Sequence, residues 1–137
     1  MKRIWKLLSL ILVFVLVLTP ITPAAAAVIS TSDTDLNGYT VVLHTNDTHG
    51  RVTQSDGMGF TAVGALKKSL QRAGAQVILL DAGDTLHGLP FATVSRGESI
   101  VEIMNLIGYD AMTPGNHDFN YGADRLAELS KLMKFPL

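Results

Sequence analysis

A chain of 137 residues, 47% apolar, with 11 basic and 12 acidic side chains and no cysteine, has room for one small domain. The missing cysteines exclude disulfides, thiolate metal sites and cysteine nucleophiles, so any metal must be held by oxygen and imidazole. The slightly acidic charge balance argues against gripping a nucleic-acid polymer by counterion release.

The N-terminus opens with Lys2, Arg3 and Lys6. An apolar run from Leu7 to Leu18 follows, interrupted only by Ser9, then Pro20, Pro23 and Ala24 to Ala27. A basic start, a short apolar centre and small residues compose a secretory signal. The run is shorter than the ~20 residues a membrane-spanning helix needs. Residues 1–27 therefore read as a cleaved signal peptide, with membrane contact only during export. The mature protein is expected to be secreted or extracytoplasmic, in the periplasm, the cell wall or the medium. Losing Lys2, Arg3 and Lys6 leaves eight basic residues against 12 acidic ones. Residues 28–38, polar and small, read as a linker.

Three repeats of strand, polar turn and helix occupy residues 39–137. The first strand is expected over Tyr39 to His44, rich in β-branched residues, and its helix over Phe60 to Ala73, with Phe60, Val63, Leu66 and Leu70 on one face. The second strand is Val77 to Leu80. Its helix is Glu98 to Ile107, with Ile100, Ile103, Met104 and Ile107 aligned and Gly108 after it. The third strand, Ala111 to Thr113, leads to a helix over Ala123 to Met133, with Leu126, Leu129 and Met133 aligned. The order βαβαβα predicts an α/β fold with a parallel sheet. The strands lack alternation, as when both sheet faces are covered. Lys134 to Leu137 reads as the start of a further strand, so the chain is expected to be a fragment.

Each strand leads into a turn that bears potential ligands: Asp47 and His49, then Asp84 after Gly83, then Asn116, His117 and Asp118 after Gly115. In a parallel sheet such turns lie beyond the carboxyl ends of the strands, where ligands bind. Any one segment is ordinary turn chemistry. Three in order, each after a strand, can converge on one point. Carboxylate, imidazole and amide oxygen suit Mn, Mg, Zn or non-haem Fe. A carboxylate can bridge two cations, and a pair ~3.5–4 Å apart can clamp a phosphate and activate a water. Gly83 and Gly115 are expected to let backbone approach the site without a Cβ in the way.

These segments resemble the calcineurin-like metallophosphoesterases, and more narrowly the secreted 5′-nucleotidase and 2′,3′-cyclic-nucleotide phosphodiesterase group. The match runs through Leu43 to Gly50, Asp81 to Asp84 and Pro114 to Gly122. The resemblance implies that the chain is the N-terminal βαβαβα portion of a metallophosphoesterase α/β sandwich, cut short. It implies hydrolysis of a nucleotide or other small phosphoester by a metal-bound hydroxide, with two divalent ions (Mn, Zn, Mg, Fe or Co). Asp47 and His49 would bind the first metal, Asp84 bridge both and Asn116 bind the second. His117 would stabilise the transition state or protonate the leaving oxygen. In the nucleotidase branch an Asp three residues after that His forms a dyad with it. Here the position is Asn120, and Asn120-Tyr121-Gly122 looks more like the cyclic-phosphodiesterase branch. A neutral amide orients an imidazole without raising its pKa.

Further metal-binding histidines and a C-terminal domain, usual in the family, are absent from the chain. The alternative is a catalytically inactive secreted fragment or metal-binding protein. A sugar phosphate or nucleotide-sugar pyrophosphate is the alternative substrate. Asp118 has no clear role, and Asp81 reads as stabilising the turn. His87 reads as lining the phosphate pocket or as structural, and His44 as structural. Arg51 attracts phosphate or is simply solvated.

Overall fold

The computed structural model describes residues 34–53 and 57–137. The segment expected as a signal peptide, residues 1–27, lies outside them, as do linker residues 28–33. The elements run β1 (Thr40–Thr45), α1 (Phe60–Arg72), β2 (Gln76–Asp81), α2 (Pro90–Val94), α3 (Glu98–Ile107), β3 (Ala111–Met112), a 3₁₀ turn (His117–Phe119) and α4 (Ala123–Leu132). The strands form one parallel sheet in the order β1-β2-β3. This is the α/β arrangement expected from the sequence.

Local chemistry sets the boundaries. The β-branched pairs Val41-Val42 and Val77-Ile78 favour extended backbone in the two longer strands. Gly108 ends α3 in the left-handed region at φ 80°, and its N–H donates to the Met104 carbonyl at 2.9 Å. Pro90 starts α2, where its missing N–H costs nothing. That short helix was not expected: five residues are too few to show a helical period.

The core gathers Phe60 and Val63 of α1, Leu79 of β2, Ile100, Val101 and Met104 of α3, and Leu126 and Leu129 of α4. Each such side chain contributes about 1.5–3 kcal/mol by leaving water. The apolar faces expected for α3 and α4 therefore hold. The α1 face differs, because Lys67 is buried while Leu66 and Leu70 stay half-buried outside the core. Lys67 can be buried because its Nζ donates to the Gly108 carbonyl and lies 3.8 Å from Asp110 Oδ2. Asp110 Oδ2 also accepts the Leu79 N–H at 2.7 Å, tying α1, β2 and the end of α3 together.

The strands also depart from the expectation that both faces are covered. In register, Val77, Leu79 and Asp81 of β2 are buried, while Thr40, Val42 and His44 of β1 are exposed on the opposite face. Among the described residues the helices supply the core on one face only. Beyond α4 the chain returns to β3, where the Met112 N–H donates to the Pro136 carbonyl at 3.1 Å. Lys134 to Leu137, expected to start a further strand, forms no strand and meets the sheet edge only through this Pro136 carbonyl.

Candidate metal centre

The site begins where the sheet ends. The β1–β2 pairing continues into the two loops beyond the strands: Ala82 N–H donates to Thr45 O at 2.8 Å, Asp47 N–H to Gly83 O at 3.0 Å, and His49 N–H to Asp84 O at 3.0 Å. Asp47, His49 and Asp84 all adopt left-handed backbone, at φ 54°, 46° and 57°. That conformation costs a residue with a Cβ roughly 1–2 kcal/mol. Such strain persists only where surrounding contacts over-determine it, and the inter-loop hydrogen bonds do so here.

The third loop closes on the second. His117 N–H donates to Asp84 Oδ1 at 2.7 Å. Gly83, at φ 102°, lies against Gly115, and a Cβ on Gly83 would stand 2.8 Å from Gly115 Cα. A Cβ on Gly115 would stand 2.7 Å from the Asp84 carboxylate carbon. Both distances are shorter than real Cβ contacts, so each position must be glycine. The space kept open by Gly115 lies directly at the Asp84 carboxylate.

Three side chains converge there. Ligand atoms of His49, Asp84 and His117 lie within 4.8 Å of one another. Asp47 Oδ1 stands 3.6 Å from His49 Nε2. The His49 and His117 rings meet edge to face, with centroids 5.1 Å apart. His49 Nδ1 lies 3.2 Å from the His87 carbonyl. A carbonyl only accepts, so Nδ1 carries the proton and Nε2 keeps its lone pair toward Asp47. Imidazole nitrogen and carboxylate oxygen within this span fit a divalent cation. Of the residues expected as ligands, Asp47, His49 and Asp84 are thus together. Asn116 adjoins His117, exposed, and its side chain makes no hydrogen bond among the described residues. His117, expected as a catalytic residue, stands inside the same cluster. Asn120 Nδ2 lies 3.1 Å from His117 Nδ1.

Asp118 organises the site, a role its sequence position did not disclose. Its side chain is 1% exposed. Oδ1 accepts the N–H groups of Thr85 at 2.9 Å and Leu86 at 2.7 Å. Oδ2 accepts those of Asp84 at 2.9 Å and Gly115 at 2.8 Å. One buried carboxylate therefore holds the second loop, from Asp84 to Leu86, to the third. Asp81 acts similarly lower down. It accepts Gly83 N–H at 3.0 Å and the hydroxyls of Thr45 at 2.5 Å and Thr85 at 3.0 Å. Burial pushes its carboxyl above the ordinary aspartate value, and the nearby Asp118 charge adds to this. The three hydrogen bonds pull the other way. Thr45 Oγ1 is also 3.0 Å from the Tyr109 hydroxyl, whose pKa burial raises.

A cavity of about 300 Å³ opens beside the first loop, lined by His44, Asp47, Arg51 and Met58 among others. His44 is exposed on β1 and borders this cavity instead of filling the sheet interior. The Arg51 guanidinium lies 3.4 Å from the carbonyls of Asp47 and Thr48, bracing its own loop.

Residues 40–136 match the family described as calcineurin-like phosphoesterase. The chain is 38% identical over 109 residues to the 5′-nucleotidase of Homo sapiens, covering 70% of this chain and 19% of that protein. It is 38% identical over 102 residues to protein UshA of Escherichia coli, covering 70% of this chain and 18% of that one. Among solved structures it is similar to the calcineurin-like phosphoesterase YfkN from Bacillus subtilis. The TM-score is 0.60 at 28% identity, over 69% of this chain and 34% of that one. The NAD nucleotidase of Haemophilus influenzae gives a TM-score of 0.60 at 29% identity, over 69% and 19%. The chain thus spans about a fifth of the length of the curated relatives it matches. With its parallel sheet, its His and Asp cluster and this match, the chain belongs to the calcineurin-like phosphoesterases, a hydrolase family that uses divalent metal ions.

Proposed function

We propose that this chain supplies the N-terminal, metal-binding part of a secreted phosphoesterase that hydrolyses 5′-nucleotides or 2′,3′-cyclic nucleotides. The observation that carries the reading is the convergence of His49, Asp84 and His117 within 4.8 Å, with Asp47 beside them, on three loops at one sheet edge. The curated relatives named 5′-nucleotidase support nucleotides as the substrate class. The basic and apolar N-terminal sequence supports export.

Two divalent cations, drawn from Mn, Zn, Mg, Fe or Co, would supply Lewis acidity at phosphorus and acidify a water. Asp47 and His49 Nε2 would hold the first. Asp84 would serve both through its carboxylate, and Asn116 would serve the second through its amide oxygen. The His117 ring, hung beside Asp84 by its own backbone N–H, donates to the phosphoryl or leaving oxygen. Asn120 orients that ring through Nδ1. By accepting the N–H groups of Asp84 and Gly115, Asp118 keeps the Asp84 carboxylate in place before substrate arrives.

A second reading is a secreted metal-binding protein without turnover, which the same cluster of His49, Asp84 and His117 also fits. Metal content and turnover with added Mn²⁺ on 5′-AMP and 2′,3′-cyclic AMP, measured on the gene's complete product, separate the two. The proposal expects bound metal and turnover, both lost together in Asp84→Asn. Metal without turnover supports the second reading. A metal-free, inactive product overturns both.

A further inference from the structure

His87 is the polar side chain near the centre that the reading above leaves without a task. Its ring lies parallel to that of His117, at 9° and with centroids 6.1 Å apart. Its Nδ1 stands 3.1 Å from Asn120 Nδ2, the same nitrogen that stands 3.1 Å from His117 Nδ1. Tyr121 packs against the His87 ring with centroids 5.1 Å apart, and the Arg96 guanidinium lies 5.8 Å from the Tyr121 ring centre. Through its backbone carbonyl, His87 also holds His49 Nδ1. One residue thus touches the supports of both histidines of the cluster.

The geometry points to His87 as a positioning residue for His117, acting through Asn120. A carboxamide between two Nδ1 atoms has two N–H groups and uses one on each. That arrangement holds both rings in the same neutral tautomer, with the proton on Nε2. It also gives the two cluster histidines opposite characters. His49 keeps its proton on Nδ1 and a lone pair on Nε2, as a ligand needs. His117 keeps its lone pair on Nδ1 and presents Nε2–H, as a donor to a phosphoryl or leaving oxygen needs. A carboxylate at position 120 would do the reverse, accepting Nδ1–H and stripping the proton from Nε2 of the neutral ring. The tether between the two rings stands on the distances alone; its consequence for the reaction rests on the function proposed above.

The test is nuclear magnetic resonance on the full chain, ¹⁵N-labelled and free of metal, at about pH 8.5, above the ordinary histidine range. Scalar coupling across N–H···N hydrogen bonds should link Asn120 Nδ2 to two histidine Nδ1 nitrogens, those of His87 and His117. In His87→Phe, which keeps a ring beside Tyr121, one coupling disappears. The Asn120 amide protons should then exchange with water about fivefold faster, the equivalent of one lost hydrogen bond of ~1 kcal/mol. In Asn120→Asp the His117 proton should move to Nδ1. Coupling to His117 alone in the wild-type chain, or an Asn120 exchange rate unchanged in a folded His87→Phe variant, overturns the role of His87. A His117 proton on Nδ1 in the wild-type chain overturns the tautomer assignment. None of these readouts uses turnover, so failure of the proposed activity and failure of the tether are told apart.

Discussion

The carboxylate of Asp118 accepts the backbone N–H of Asp84 at 2.9 Å, so a residue of the third loop fixes the ligand of the second. The same carboxylate takes three more N–H groups, from Thr85, Leu86 and Gly115. Asp118→Asn replaces one acceptor oxygen by a donor that faces N–H groups. At least two buried N–H groups then lose their partner, each at about 1–3 kcal/mol. Urea denaturation should show a stability loss of roughly 3 kcal/mol. Affinity for Mn²⁺ should fall about 10- to 100-fold, as when a group that orients a ligand is removed. An unchanged denaturation midpoint would show that these hydrogen bonds hold nothing.

Gly115→Ala isolates space from charge. The added Cβ meets the Asp84 carboxylate, while the backbone at position 115 is not left-handed. The clash forces the third loop away from Asp84. Calorimetric titration with Mn²⁺ should show affinity at least ~10-fold weaker. Full retention of affinity would mean that the loops give way freely.

The pH dependence follows from Asp81. Its folded-state pKa is raised above the ordinary 3.8, with burial the largest cause. The folded chain therefore holds this proton more tightly than the unfolded chain. Its favourable contribution is complete at low pH, and stability falls as pH rises from the unfolded value through the raised folded value. Asp81→Asn keeps an oxygen for the Gly83 N–H and cannot ionise. Denaturation midpoints measured across the acid range should lose that downward slope in the variant. A slope equal to the wild type's would assign the titration to another group.

Lys67→Met separates scaffold from site. The variant leaves the Gly108 carbonyl without its ammonium donor and Asp110 without its cation, although Asp110 is half-exposed and keeps the Leu79 N–H. A stability loss of about 1–2 kcal/mol is expected, with Mn²⁺ affinity unchanged once the variant is folded. A matching loss of affinity would mean that α1 reaches the metal loops.

Much of this arrangement was legible in the chain. The β-branched runs marked β1 and β2, the apolar periods marked α1, α3 and α4, and the turns after the strands marked Asp47, His49 and Asp84. What escaped was whatever depends on a distant partner. Lys67 reads as a solvated cation until Gly108 and Asp110 are placed beside it. The α2 helix is too short for a period. The position of Asp118 showed an acidic residue beside a ligand turn, but not four N–H groups converging on it from two loops. His87 resembled any loop histidine, because its tie to Asn120 spans 33 residues. The exposed face of β1 was hidden because an apolar run looks the same whether one face or both are covered.

The backbone links from Asp47 to Gly83 and from His49 to Asp84 join the loops directly beyond the last β1–β2 pair, Thr45 and Asp81. A strand paired one residue out of step turns its side chains over, which would carry Asp47 and His49 away from Asp84. Cation capture is therefore conditional on correct strand alignment. In a refolding reaction, the capacity to bind Mn²⁺ should grow only with the fraction of molecules whose first two strands are in step, which makes the cation a gauge of folding fidelity.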